Sequence, residues 1–233
     1  MKKLILFLSL SLLFCNLANA QWFEPTAPNY EVIRQNISDK NSNFYYPELL
    51  NRYNMGDETL TIEEKRHLYY GNVFQPSYDS SDTSVYNKNL MEVLSKKSFT
   101  ESDYNTILMN AKSLLEEDPF NIRAINAELL VYAQKDNTAD YKRNLQKRKT
   151  ILDAVVSTGD GTSKETAFYV IKISHEYDLL PLMGYKFGGQ EKINKGDKLS
   201  ILSLSENKYG MEEIYFNITP VFEYISARGG GKM

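Results

Sequence analysis

The chain has one cysteine in 233 residues, Cys15, and it stands in an apolar N-terminal run. No disulfide can form within the chain, and no thiolate zinc cage is available. Histidine is almost as scarce: there are two, His67 and His175. No His-x-x-x-His or Asp-x-Asp-x-Asp spacing occurs, so no metal site is expected. The patterns Gly-x-Ser-x-Gly, Gly-x-x-x-x-Gly-Lys-Ser/Thr and Gly-x-Gly-x-x-Gly are also missing. Nucleophile-elbow, P-loop and dinucleotide chemistry thus have no fingerprint, and no cofactor is implied. A Ser-His-Asp triad assembled from distant positions stays open, because its members need not be neighbours in sequence. Excess positive charge is missing too, with 27 Lys and Arg against 30 Asp and Glu. A mildly acidic chain has no electrostatic footprint for nucleic acid.

The first twenty residues have a pattern of their own. Lys2 and Lys3 precede an apolar run from Leu4 to Phe14, and Ala18-Asn19-Ala20 gives the small-x-small pattern of a cleavage site. This reads as a secretory signal peptide at 1–20, with the mature chain starting at Gln21. The run is shorter than the ~20 apolar residues a membrane span needs, and no later segment approaches that length. Leu13 and Phe14 ahead of Cys15 argue against a lipid anchor. Loss of Lys2 and Lys3 leaves 25 basic and 30 acidic residues, a formal charge of −5.

The mature chain is expected to be α+β. Residues 21–157 form a helical region and 158–228 a β-rich region sharing an interface with it, followed by a loose tail over 229–233. Helix signals recur: Asn29 as an N-cap, Pro47 in a first turn with Gly56 just past the end, a capping box at Thr61–Glu64, Thr100 and Asn121 as further caps, and Asn137 or Thr138 before the last helix. Apolar residues at helical spacing predict helices near 30–37, 45–53, 61–74, 85–97, 101–117, 121–134 and 138–157. Five basic residues, Lys142, Arg143, Lys147, Arg148 and Lys149, read as a solvated face of the last one. The period then changes. Alternation over 168–174 predicts a strand, with others around 185–187, 198–204 and 213–218 and a fifth over 221–225. Short links between them predict an antiparallel sheet.

Two resemblances are visible. The stretch from Ala111 to Ala124, with a helix ending at Asp118-Pro119 and Asn121 restarting the chain, resembles a junction between tetratricopeptide repeats. It implies a tetratricopeptide-like helical array, with a generic helical hairpin as the alternative. The second spans most of the mature chain. Phe44-Tyr45-Tyr46-Pro47, the segments 53–61 and 67–75, Gly159-Asp160-Gly161-Thr162-Ser163, the run 166–170 and Ser174-His175-Glu176-Tyr177-Asp178 resemble exported proteins grouped as domain of unknown function 4919. That resemblance implies a periplasmic or cell-surface location in a Gram-negative bacterium and supplies no activity.

Candidate site residues are few. His67 shares a helix side with Glu63 and Glu64, and an i, i+4 Glu–His pair raises histidine basicity, as a general base requires. Packing against a tyrosine or a main-chain group is the plain alternative. His175, Glu176, Tyr177 and Asp178 form the densest ionisable cluster; on an extended chain His175 and Tyr177 would face one way, Glu176 and Asp178 the other. Asp160 in its Gly-rich turn lacks the further carboxylates of a calcium loop. Tyr45, Tyr46, Tyr53, Tyr69, Tyr70, Phe74 and Tyr78 either line a binding groove or build the core between the first helices. The sequence favours a non-enzymatic module that binds an envelope protein or peptide. The alternative is a periplasmic hydrolase or glycan-binding protein using the His/carboxylate or Tyr-rich residues.

Overall fold

The computed structural model describes residues 24–81 and 83–227. The signal-peptide residues, Cys15 and the 229–233 tail lie outside them. Seven helices come first: α1 (Tyr30–Ser38), α2 (Tyr46–Asn54), α3 (Ile62–Gly71), α4 (Val85–Leu94), α5 (Glu101–Glu117), α6 (Ile122–Gln134) and α7 (Thr138–Val156). There follow β1 (Phe168–Tyr169), α8 (Ile173–Leu179), β2 (Phe187–Asn194), β3 (Leu199–Leu204), β4 (Glu213–Asn217) and α9 (Thr219–Ala227). The class is α+β.

The capping chemistry operates as the sequence spells it. Thr61 Oγ1 accepts from Glu64 N–H while Glu64 Oε2 accepts from Thr61 N–H at 2.7 Å. Thr100 and Asp103 repeat the motif at α5. Asn29, Asn121 and Asn137 cap α1, α6 and α7 through their side-chain oxygens. Gly56 closes α2 at φ +73, a left-handed conformation that favours glycine.

α3 is the hub. All of its residues from Lys65 to Gly71 are buried, because α1, α2 and α7 pack around it. Arg66 reaches through this packing to Ser157 Oγ (2.7 Å) and Thr26 O (2.9 Å), tying the chain ahead of α1 to the end of α7. Helices α4 to α7 pack each on the next, as in a repeat array, but α7 returns onto α2 and α3. An open solenoid contacts only neighbouring repeats, so the tetratricopeptide likeness extends no further than that succession.

One hydrophobic cluster runs from Ile33, Leu49 and Tyr69 through Phe120 and Ile151 to Phe168, Leu202 and Phe216. Helices and sheet therefore share a core. A second cluster, including Leu90, Ile107, Ala111 and Val131, holds α4 to α6 together.

The sheet order is β1-β4-β3-β2. β2, β3 and β4 are antiparallel as expected, but β1 runs parallel to β4, so the sheet is mixed. A parallel pair requires a long connection, and α8, β2 and β3 supply it. Two further expectations are corrected. The strand over 168–174 is paired only at Phe168 and Tyr169, because the partner β4 ends at Asn217. Beyond it the chain turns into α8, so His175 to Asp178 are helical rather than extended. The fifth strand over 221–225 is instead helix α9, with Pro220 in its first turn and Asn217 Oδ1 accepting from Thr219 N–H.

Candidate functional site

The Asp118-Pro119 junction lies at the seam between helices and sheet. Pro119 forces the residue before it out of helix, and Asp118 is extended, at φ −138. Its carboxylate is thereby turned inward. Oδ2 lies 2.7 Å from Lys172 Nζ, and both side chains are buried. Oδ1 accepts from Phe120 N–H at 3.3 Å, and Asn121 Nδ2 donates to Oδ2 at 3.4 Å. Tyr53 OH donates to Pro119 O at 2.9 Å. The junction is therefore held from α2 on one side and from the segment after β1 on the other. Removing one partner of a buried ion pair strands the other and costs about 3–5 kcal/mol.

Two concavities open over this junction. One, of about 260 Å³, is floored by the Asp118–Lys172 pair and walled by Asn72, Tyr78, Asp79 and Asn87. The other, of about 620 Å³, is lined by Tyr46, Leu50, Glu116, Pro119, Glu128 and Lys147. Asn72 and Ser77 line both, so the two lie side by side along the seam as a two-part groove. Asn72 is fixed by Tyr46 OH, which donates to its Oδ1 at 2.8 Å. At the far end Glu128 Oε2 accepts from Asn144 Nδ2 at 2.8 Å, and burial raises the Glu128 pKa. Burial lowers that of Lys147, whose Nζ lies 5.2 Å from the centre of the Tyr53 ring.

The two histidines are not brought together. His67 stacks on Phe44, with centroids 3.9 Å apart. Its Nδ1 lies 2.8 Å from Glu63 O, a carbonyl that only accepts, so Nδ1 carries the proton. Nε2 then accepts from Asn36 Nδ2 at 3.0 Å. Burial lowers its pKa, and the ring is neutral and fully engaged. Glu63 contacts it through the main chain; its half-exposed carboxylate is 4.0 Å away and also lies 3.5 Å from Arg66 Nε. His175 is held on the opposite side of α3, where Tyr69 OH lies 2.7 Å from its Nδ1. Residues 67 and 69 are about 200° apart around a helix.

The other candidates divide between core and interface. Tyr69 and Tyr70 are fully buried and meet edge to face; Tyr70 OH donates towards Tyr169 O at 3.1 Å and Ala154 O at 3.2 Å. Phe74 is half-buried against Tyr30, with Arg34 over its ring. Tyr45 is half-buried at the cap position of α2, and Tyr46 lines the groove. Asp178 pairs with Arg123 at 3.4 Å, joining α8 to α6. Glu176 is fully buried beneath the sheet, and burial pushes its carboxyl pKa up to about 8. The Ser200 hydroxyl beside it opposes that rise, but it is directed at Glu191 Oε1, 3.3 Å away, and the Glu191 charge adds to it. Neither Glu176 oxygen has a hydrogen-bond partner. Among the described residues no group of three or more His, Cys, Asp or Glu side chains could hold a metal ion.

The groove residues Asn72, Lys172, Glu128 and Lys147 had no signal as site residues. Lys172 fell within the strand expected over 168–174, and Lys147 read as part of a solvated face. The available clue was Asp118-Pro119, which marks a helix end with a non-helical Asp; the burial of its carboxylate against Lys172 is visible only in the structure.

The family model described as Domain of unknown function (DUF4919) matches residues 31–226. The chain belongs to that family. No curated protein and no solved structure matches it. The match runs from α1 into α9, so the seam groove, both histidines and the whole sheet lie inside the family's domain. Among the described residues no helix is long and apolar enough to cross a membrane.

Proposed function

We propose that this DUF4919 protein is a non-enzymatic, exported module of the Gram-negative cell envelope that binds an extended polypeptide in its seam groove. One observation carries the reading: two adjacent concavities that share Asn72 and Ser77 lie over a rigidly tied helix junction, and a bound peptide would run through both. Its walls mix proline and leucine with amides and charges of both signs, which suits a peptide with alternating polar and apolar contacts. His67 and His175 are each occupied by a separate partner on opposite sides of α3, and neither lines the groove. That geometry gives the hydrolase alternative no assembled acid–base pair.

The test uses Ser77, which is exposed and common to both concavities. Twelve-residue peptides enriched by display on the wild-type protein should lose binding to Ser77→Trp, whose indole plugs the groove. If no peptide is enriched, or if the variant binds equally well, the reading is wrong. Export is tested separately: mature protein from the envelope fraction should begin at Gln21, and an uncleaved cytosolic chain would refute it.

A further inference from the structure

β2 is the outer strand of the sheet, and all of its residues are exposed. An edge strand presents unpaired main-chain groups, and the register shows which they are. At the two ends of the β3–β4 ladder, Leu204 N–H donates to Glu212 O and Ile218 N–H donates to Lys198 O. Even-numbered residues of β3 therefore direct their main chain at β4, and odd-numbered ones direct theirs at β2. Leu199 faces Asn194 and Ile201 faces Lys192. Lys192 and Asn194 thus bond to β3, while Glu191 and Ile193 turn their N–H and C=O groups outward. Among the described residues no strand lies beyond them.

The side chains add chemical detail. Glu191 and Ile193 share a face with their partners Leu202 and Ser200, both fully buried, so they look towards the helices. Ile193 lines an apolar cavity of about 400 Å³ with Ile173, Ile218, Val221, Phe222 and Ile225. Glu191 receives Tyr177 OH at 2.8 Å. Lys192 points to the other face, 2.8 Å from Glu213.

We propose that the β2 edge captures an extended segment of another protein as an antiparallel fifth strand along 190–194. The segment carries an aliphatic residue opposite Ile193, an acidic residue opposite Lys192 and a basic residue opposite Glu191. The aliphatic side chain enters the cavity, and the charges complement those of β2 across the ladder. A second copy of this chain is a poorer occupant. Pairing about a two-fold axis on Lys192 or on Glu191 sets like charges directly opposite, which is destabilising; on Ile193 it pairs only 192–194 of each copy, because β2 ends at Asn194, and on Gln190 it runs into the irregularity between Phe187 and Glu191. The cavity abuts the first seam concavity at Asp79 and Ser81, which line both, whereas Ser77 and the rest of the second concavity do not line it.

The probe is the peptide Thr-Ile-Glu-Arg-Thr, flanked by Gly-Ser and labelled with fluorescein, titrated by anisotropy with protein purified after expression of the full chain. In the proposed register the Ile and Arg amides point at β2 and the Glu amide points away. N-methylation of Ile or Arg should weaken binding at least tenfold, and N-methylation of Glu should change it less than threefold. Glu191→Lys should weaken the same peptide and favour the version with Glu in place of Arg. Ser77→Trp should leave affinity unchanged. The proposal is overturned if the peptide does not bind, if all three N-methyl peptides lose affinity equally, or if Ser77→Trp abolishes binding, which would put the peptide in the groove. Self-association of the protein that excludes the peptide would assign the edge to a second copy and overturn it as well.

Discussion

Replacing Glu176 by glutamine should make the protein more stable at neutral pH. The wild-type carboxyl is fully buried, both oxygens lack hydrogen bonds, and its pKa stands at about 8 instead of 4.5. At pH 7 the folded chain therefore holds a proton that the unfolded chain has released. Binding that proton costs the folded state about 3 kcal/mol at pH 7. The sign follows from linkage. Between about pH 4.5 and 8 the folded state binds more protons than the unfolded state, so this contribution to unfolding free energy declines as pH rises through that window and levels off above it. Glutamine keeps the shape and needs no proton. The variant should gain about 3 kcal/mol over wild type at pH 7 and close to nothing at pH 4. Urea unfolding followed by far-ultraviolet circular dichroism from pH 4 to 9 measures both curves. Equal stability at pH 7, or an offset that does not change with pH, would refute the reasoning.

Three other outcomes are expected. Lys172→Met should cost about 3–5 kcal/mol in the same assay by stranding the Asp118 carboxylate, and adding Asp118→Asn should recover most of the loss; a loss below about 1 kcal/mol would show that the pair does not hold the seam. Gly159→Ala should be destabilising by about 1–3 kcal/mol or more, because a Cβ there would stand 2.0 Å from Thr166 O, a main-chain atom that cannot step aside; a wild-type melting temperature would contradict that close approach. The His67 ring should titrate below 6.5 in a proton NMR series, since burial favours its neutral form. The folded state then takes up fewer protons than the unfolded one, so this term removes stability as pH falls below about 6.5; a midpoint above 6.5 would mean that the Glu63 carboxylate, not burial, governs the ring.

Helix positions were legible because their signals are local. Thr61 with Glu64, Thr100 with Asp103, and Asn29, Asn121 and Asn137 each satisfy main-chain donors within three residues, whatever the rest of the chain does. The tyrosine-rich stretch was legible as to composition but not as to role: whether Tyr69 and Tyr70 line a groove or fill a core depends on α1, α2 and α7 closing around α3. The candidate histidines were identifiable as residues, but their partners Asn36, Phe44 and Tyr69 were not, since each comes from a different helix or lies far off in sequence.

By itself the sequence determined the seven N-terminal helices ahead of the sheet and where most of them start and stop. Periodicity and capping depend on neighbours along the chain. The tertiary structure decided the rest. Short apolar runs such as 168–174 and 221–225 fit a strand or a buried helix equally well by pattern. The first was settled by the length of its partner, since β4 serves β1 for two residues and then ends, and the second became helix α9, capped by Asn217. The inward turn of Lys172 onto Asp118, the proton held on Glu176 and the open edge of β2 arise the same way. Each depends on a group 15 to 54 residues distant or on the solvent left beyond the last strand, and no local pattern records either.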